Sequence, residues 1–517
     1  MSLGQILPRA AGEHGGRTAV LDIGRELTFE QVDHAAGRMA AALIGEGVQP
    51  GERVGVSLFK SADGFVAMHA IVRIGAVAVP LDPGSPTSRL AAICSQMDIG
   101  VVITHDLRRD ALVDLAMSVS LRAVLGLCDS LEDTHTVTAA SIGSLEPADP
   151  VEVDVGDPAY IITTSGSTGE PKGIMHSHRS ALAYADNSAA TFGLVPDDRV
   201  SDIAPHHFDI STFALWSAPH AGASIVVMPD VHQRIPASLS QRTADERVTV
   251  WYSVPFLLNQ LVLRGDLANR DLSSLRLVQL GGEVIQPDAL ETFMSFASHA
   301  VIANVYGPAE TNQCSRYLLS APPVPASFPI GQPWSVATFR VAEPGATGPG
   351  AGGLNEGELW VAAETMMMGY FGETTPGNGR IVEQDGHRWY RTGDLVRLDS
   401  AGEFHFEGRA DLQIKIRGHR VELEAIEAEL ERLPGIEAAV ATPFRGSTGA
   451  DEVVAGILPL EGFEADAFLD AAREVLPGYA APARTVIFNS KKITGSGKLD
   501  RRALREDARA AAEGTIQ

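Results

Sequence analysis

The sequence predicts an α/β protein, with a large N-terminal α/β domain over residues 1–410 and a small C-terminal α+β domain over residues 411–517. Three observations carry this. A chain of 517 residues with 45% hydrophobic content is too long for a single core and too apolar to stay disordered. From about residue 27 to 360, short apolar runs alternate with longer amphipathic stretches, the pattern of buried strands separated by helices. Beyond Gly408 the chain changes character to a compact α+β pattern.

The elements follow in order. Val54–Leu58, Ala76–Val79, Tyr160–Ile162, Ser224–Met228, Val248–Tyr252 and Ala300–Ala303 read as strands buried on both faces. Pro- and Gly-rich punctuation falls at 80–86, 321–325 and 344–357, the last long enough to be an exposed loop or a seam between subdomains. Leu423, Ile426, Leu430 and Leu433 recur at helical spacing and stop at Pro434 and Gly435, after which Ala438–Thr442 reads as a strand.

The formal charge of −24 argues against general binding to nucleic acid or to an anionic membrane, since both need a basic surface. Cys94, Cys128 and Cys314 are scattered and odd in number, which supports neither a disulfide framework nor a zinc site. With no basic-then-apolar leader and no uninterrupted apolar run of membrane-spanning length, the expected location is cytoplasmic.

The most informative stretch is Thr164, Ser165, Gly166, Ser167, Thr168, Gly169, Glu170, Pro171, Lys172, Gly173. The glycines permit close backbone approach, the hydroxyls and N–H groups donate to phosphoryl oxygens, and Lys172 supplies charge. It is a phosphate-gripping loop of a different order from the P-loop. This stretch resembles the phosphate loop of the adenylate-forming superfamily, which includes acyl-CoA synthetases, luciferases and amino-acid adenylation domains. Further motifs follow in that family's order: Leu280-Gly-Gly-Glu283, Asn304-Val-Tyr-Gly-Pro-Ala-Glu310, Met368-Gly-Tyr370, Tyr390-Arg-Thr-Gly-Asp394, the run 408–418, and Gly495-Ser-Gly-Lys-Leu-Asp-Arg501. The resemblance covers nearly the whole chain and implies a multi-sheet N-terminal domain joined by a hinge to the small domain.

What the resemblance implies about ATP is specific. Gly281, Gly282 and Glu283 let backbone lie against adenine, Tyr306 stacks on it with Gly307 behind, and Asn304 bonds its exocyclic amine. Asp394 and Arg409 meet the ribose, Glu310 holds Mg²⁺, Asp411 is the hinge, and Lys498 is the catalytic lysine. A lone carboxylate is chemically sufficient for magnesium, which keeps waters and takes phosphate oxygens as its other ligands. Ala309 stands where the family usually has Thr, and Lys492 where it usually has Pro.

For the acid, His207-Phe-Asp-Ile-Ser211 resembles the motif of amino-acid adenylating enzymes, so Asp209 is expected to pair with a substrate ammonium. The alternative is that Asp209 or Ser211 simply caps a helix. The family's pocket positions carry over to Ile210, Phe213, Phe256, Val278, Leu280, Val305, Gln313 and Cys314. These walls contain no carboxylate or arginine, and a charged side chain buried there would be unpaired, so a small aliphatic amino acid is expected. Resemblance to stand-alone enzymes for D-alanine or for β-amino acids leaves α and β both open.

No carrier-domain attachment motif follows Lys498, so a separate phosphopantetheine carrier protein is the expected acceptor. Lys491, Lys492, Lys498, Arg501, Arg502 and Arg505 form either a docking patch for an acidic carrier or ordinary solvated charge. The competing functions are an acyl-CoA synthetase for a small acid and a non-catalytic nucleotide sensor.

Overall fold

The computed structural model describes residues 1–165, 171–350, 352–411, 413–416, 419–446, 451–460, 463–493 and 499–514. The chain divides into two compact units. The larger comprises Met1–Pro83, Cys94–Thr163 and Gly173–Ala410, and the smaller comprises Gly84–Ile93, Thr164–Lys172 and Asp411–Gln517.

In the larger unit the described residues form three sheets. One has the strand order Gln332–Pro333, Ser315–Leu319, Val301–Tyr306, Leu277–Gly281, Val250–Ser253, Arg199–Asp202, Ser224–Val227, Thr18–Asp22, Arg25–Thr28. Its six central strands are parallel and its outer ones antiparallel. A second sheet runs Gly369–Tyr370, Pro171–Ser177, Pro158–Ser165, Val77–Pro80, Arg53–Ser57, Val101–Thr104, Ala123–Leu125, Thr136–Val137. Valine and isoleucine fill both, as expected of parallel strands covered on two faces.

Helices pack between these sheets. Phe29–Gly45 starts at Thr28, whose hydroxyl accepts from Gln31 N–H while the Gln31 side chain accepts from Thr28 N–H, a reciprocal cap. Its Val32, Ala36, Ala40 and Leu43 are buried at helical spacing. His178–Phe192 opens on the hydroxyl of Ser177 and ends at Gly193 in the left-handed region. One core joins the sheets through Val54, Tyr160, Val200, Ile225, Val250 and Ala303. A second lies on the far face of the first sheet and includes Trp251, Val278, Leu280 and Met294.

The third sheet is antiparallel: Ala337–Ala342, Glu356–Ala363, His387–Leu398 and Ile381–Gln384, with Phe404–Arg409 against the long third strand. The strands on either side of the Pro- and Gly-rich stretch, Ala337–Ala342 and Glu356–Ala363, are neighbours in this sheet and lie within one unit, so no seam between units falls there.

In the smaller unit, helix Leu423–Glu431 and helix Ala465–Val475 bury Ile426, Leu430, Phe468 and Ala472 against Ile436–Arg445 and Asp451–Pro459. Gly435, at φ +79°, takes the left-handed turn between helix and strand. Helix Arg501–Ala512 packs Leu504, Ala508 and Ala512 on Val440, Leu458 and Val454. Among the described residues no helix is long and apolar enough to cross a membrane.

Three buried histidines of the larger unit carry a stability consequence. Burial lowers His69 to about 3, and His176 and His178 to about 4. Each is neutral when folded and protonates more readily once unfolded, so the unfolded chain binds more protons below about pH 6.5. Stability is therefore full above that value and falls as the pH drops toward 4. Urea midpoints measured from pH 7.5 to 5 should decline steadily; a flat profile would contradict neutral burial.

Candidate active site

Strand register decides which side chains face the inter-sheet core. Trp251 pairs with Val278, Tyr252 with Gln279, Gln279 with Ala303, and Gly281 with Val305. Side chains alternate along a strand, so Tyr252, Gln279, Gly281, Ala303 and Val305 share one face and Trp251, Val278 and Leu280 the other. Val278 and Leu280 accordingly pack into the second core, away from Tyr252 and Phe213. This corrects the expected placement of Val278 and Leu280: the residues of this strand on the Tyr252 face are Gln279 and Gly281. Cys314 is also elsewhere, in a core with Ile330, Val361 and Phe404, against which Tyr306 packs; burial pushes its thiol up to about 12.

Asp209 opens a short 3₁₀ turn, Asp209–Ser211, and a π-helical turn, Phe213–Ser217, follows. The cap position is Phe208, so Asp209 lies inside the turn. Its Oδ1 accepts from Ile210 N–H at 2.9 Å and its carbonyl from the Thr212 hydroxyl at 2.5 Å. Single π turns recur at functional sites, and here one presents Phe213 and Trp216. Phe213 meets Tyr252 edge-on at 5.7 Å, and Trp216 stacks on Tyr160 at 6.1 Å. Burial raises the hydroxyls of Tyr160, Tyr184 and Tyr252, and the Asp209 carboxylate raises each further. The charge of the aspartate thus bears on three buried, neutral tyrosine hydroxyls. Ile210 packs on the same core, and Phe256 is half-buried at the start of helix Pro255–Arg264.

The turn after Val301–Tyr306 supplies Asn312 and Gln313. Asn312 Nδ2 donates to Tyr160 Oη at 3.4 Å, and the Thr212 hydroxyl donates to Asn312 Oδ1 at 3.5 Å. Only glycine fits at 307, where a Cβ would lie 1.7 Å from the Asn312 carbonyl oxygen.

The residues expected around the nucleotide cluster in part. Tyr306 donates its hydroxyl to Asp394 Oδ2 at 2.5 Å, and Arg409 donates to Asp394 Oδ1 at 2.5 Å and to the Thr392 carbonyl at 3.2 Å. Positions 306, 394 and 409, far apart in sequence, therefore share one hydrogen-bonded group. Asn304 donates to the Pro329 carbonyl at 2.6 Å, and Glu283 Oε2 accepts from Phe256 N–H at 3.0 Å, tying Gly281 and Gly282 to the neighbouring helix. Gly282 has φ +93°, and a Cβ on Gly281 would meet Val305 at 2.8 Å.

Glu310 is 1% exposed and accepts from the Tyr370 hydroxyl at 2.7 Å. Neutral His176 bonds the carbonyl of Ala309 through Nε2 at 2.9 Å, fixing the backbone where the family usually carries Thr. Sequence reasoning assigned no part to His176, Tyr160, Tyr184 or Gln279. Among the described residues no three His, Cys, Asp or Glu side chains converge as a metal cage. One buried carboxylate fits magnesium, which needs one or two carboxylates beside triphosphate oxygens.

Thr164 lies at the end of strand Pro158–Ser165, and Lys172 is half-buried on Pro171–Ser177. The side chain of Ser165, the residues Gly166, Ser167, Thr168 and Gly169, and Lys498 lie outside the described residues. Asp411 accepts from Gln413 N–H at 3.3 Å at the start of the small unit's C-terminal segment. The described tail cations are ion-paired: Lys491 with Glu437, Lys492 with Asp507, Arg501 with Glu427 and Glu431, Arg502 with Glu506, and Arg505 with Glu427. Among the described residues their charge is locally balanced.

A large layered α/β unit carrying ordered nucleotide motifs, followed by a small α+β unit, defines an adenylate-forming ligase. The chain belongs to the AMP-binding enzyme family, whose model matches residues 7–371. It is 31% identical over 494 residues to the L-proline–[L-prolyl-carrier protein] ligase of Pseudomonas fluorescens, covering 94% of this chain and 95% of that one. It is 32% identical over 516 residues to syringomycin synthase SyrB1 of Pseudomonas syringae pv. syringae, covering 97% of this chain and 81% of the relative. The fold matches the amide bond synthetase McbA of Marinactinospora thermotolerans with a TM-score of 0.84 at 22% identity, over 98% of this chain and 99% of that one.

Proposed function

We propose that this ligase adenylates a small α- or β-amino acid with ATP and transfers it to the phosphopantetheine thiol of a separate carrier protein. The observation that carries the reading is Asp209, a carboxylate on the turn that leads into Phe213, which meets Tyr252 edge-on, with its charge bearing on the buried hydroxyls of Tyr160, Tyr184 and Tyr252. Such a group suits an ammonium and gains nothing from a plain fatty-acid tail. The similarity to a prolyl-carrier ligase across nearly its full length supports the carrier as acceptor.

The chemistry joins two anions, a carboxylate and the α-phosphate, with pyrophosphate leaving. In the proposed arrangement residues 1–410 bind ATP and the acid, and residues 411–517 carry Lys498 and move about Asp411 between the two half-reactions. Donors from Thr164 to Gly169 and Lys172 hold the leaving phosphates, and Lys498 balances charge on the attacking carboxylate. Glu310 would hold magnesium, which supplies positive charge to the phosphates. Asn304, Gly281 and Gly282 with Tyr306 and Gly307 receive adenine, while Asp394 and Arg409 hold the ribose. Ile210, Phe213, Phe256 and Val305 take the apolar part of the amino acid.

The discriminating experiment follows AMP release from ATP and an amino acid with either CoA or a phosphopantetheinylated carrier protein added. Acceleration by the carrier alone is expected. Acceleration by CoA alone would make the protein an acyl-CoA synthetase, and no AMP with any acid would make it a nucleotide sensor.

A further inference from the structure

The face of the first sheet that turns toward Asp209 carries a carboxamide that its neighbours leave unsatisfied. Gln279 is fully buried in the middle of a parallel sheet, between Tyr252 on one strand and Ala303 on the next. Neither its Nε2 nor its Oε1 has a hydrogen-bond partner. Gln313, 5% exposed, adjoins the Tyr252 hydroxyl but also has both amide atoms outside hydrogen-bonding geometry. The Tyr184 hydroxyl, beside Thr212, is in the same condition.

Buried polar atoms in folded proteins are nearly always paired, and a cluster that is not paired calls for an explanation. Burying a glutamine with two donors and two acceptors idle is costly, and leucine would fill the same space without that cost. The unsatisfied atoms surround Tyr252, the residue that Phe213 touches edge-on and the Asp209 carboxylate acts upon. Gln279 therefore shares Tyr252 as a neighbour with Phe213, which follows Asp209 in the chain.

We propose that Gln279, aided by Gln313, selects an amino acid whose side chain carries an uncharged hydrogen-bonding group, a hydroxyl or a carboxamide. This rests on the amino-acid reading of Asp209 and refines it, because the sheet face that carries Tyr252 presents Gln279 and Gly281 in place of the expected Val278 and Leu280. A carboxamide offers both a donor and an acceptor, so it complements a neutral group having both. A site built to bond a hydroxyl or amide rejects an analogue lacking it by roughly 10⁴-fold or more, whereas an apolar pocket separates such isosteres by only about 10²-fold.

The test is amino-acid-dependent exchange of labelled pyrophosphate into ATP, run on isosteric pairs: threonine against valine, asparagine against leucine, and the corresponding β-amino acids. The native enzyme should favour the polar member of a pair by roughly 10⁴-fold in kcat/KM, whereas an apolar pocket would favour the apolar member by about 10²-fold. Gln279→Leu should erase or invert that preference while raising the melting temperature, since it removes unsatisfied polar atoms. Gln279→Glu, which adds charge, should not restore it. Native enzyme that favours the apolar members, or a Gln279→Leu variant with unchanged preference, would overturn the inference. Exchange with no amino acid of any kind would instead overturn the reading of Asp209.

Discussion

Asp209→Ala is expected to abolish amino-acid-dependent pyrophosphate exchange without lowering the melting temperature. Breaking a buried charge pair by removing one partner costs about 3–5 kcal/mol, which corresponds to a loss of roughly 10²- to 10³-fold or more in kcat/KM. The stability expectation comes from the surroundings of the carboxylate. Tyr160, Tyr184 and Tyr252 are buried hydroxyls that the negative charge makes harder to ionise still. At neutral pH they are un-ionised either way, so removing the charge takes little from the folded state. Asp209→Asn separates charge from shape, because the amide keeps the volume and can still accept from Ile210 N–H. If the asparagine variant retains activity, the ammonium role is wrong. A large drop in melting temperature for both variants would show that the aspartate is a structural element.

Lys498→Ala should suppress adenylate formation by roughly 10²- to 10³-fold, the usual cost of about 3–4 kcal/mol for losing one preorganised group that stabilises transition-state charge. Binding of ATP should change little by comparison. The fold of the small unit should be untouched, because its stability resides elsewhere. Arg501 bonds Glu427 at 2.9 Å and Glu431 at 2.5 Å, Arg505 bonds Glu427 at 2.7 Å, and Leu504 and Ala508 pack on the sheet. Exchange kinetics with a parallel thermal melt check both halves of the statement. Retention of more than about a tenth of native exchange would remove Lys498 from the chemistry, since the predicted loss is at least tenfold larger.

The layered α/β plan is legible in the sequence because its strands are short apolar runs bounded by turn residues. Val54–Leu58 appears as Arg53–Ser57, Ser224–Met228 as Ser224–Val227, and the helix read from Leu423 to Leu433 as Leu423–Glu431. The nucleotide motifs are local in sequence, so their order could be read directly. The substrate wall could not. Leu277–Gly281 is buried on both faces, and such a strand has no polar alternation to say which side chains point to which core. Its register against Val250–Ser253 and Val301–Tyr306 is what places Gln279 beside Tyr252.

Tyr160 and Tyr184 were missed for a related reason: one sits on a strand of the second sheet and the other on the helix 178–192, so only packing brings them into one core with Phe213. The tail shows the same limit for charge. Arg501, read in isolation, belongs to a basic run, but its partner Glu427 is 74 residues upstream. Side-chain pairing across such distances leaves no trace in local composition.

The central claim is that an amino acid is activated as its adenylate with Asp209 reading the ammonium. Pyrophosphate exchange compared between an amino acid and its des-amino counterpart of the same carbon skeleton tests it most directly. Exchange that requires the amino group in the native enzyme, and is lost from Asp209→Ala, is the predicted result. Equal exchange with the des-amino acid, unchanged by that substitution, would contradict it.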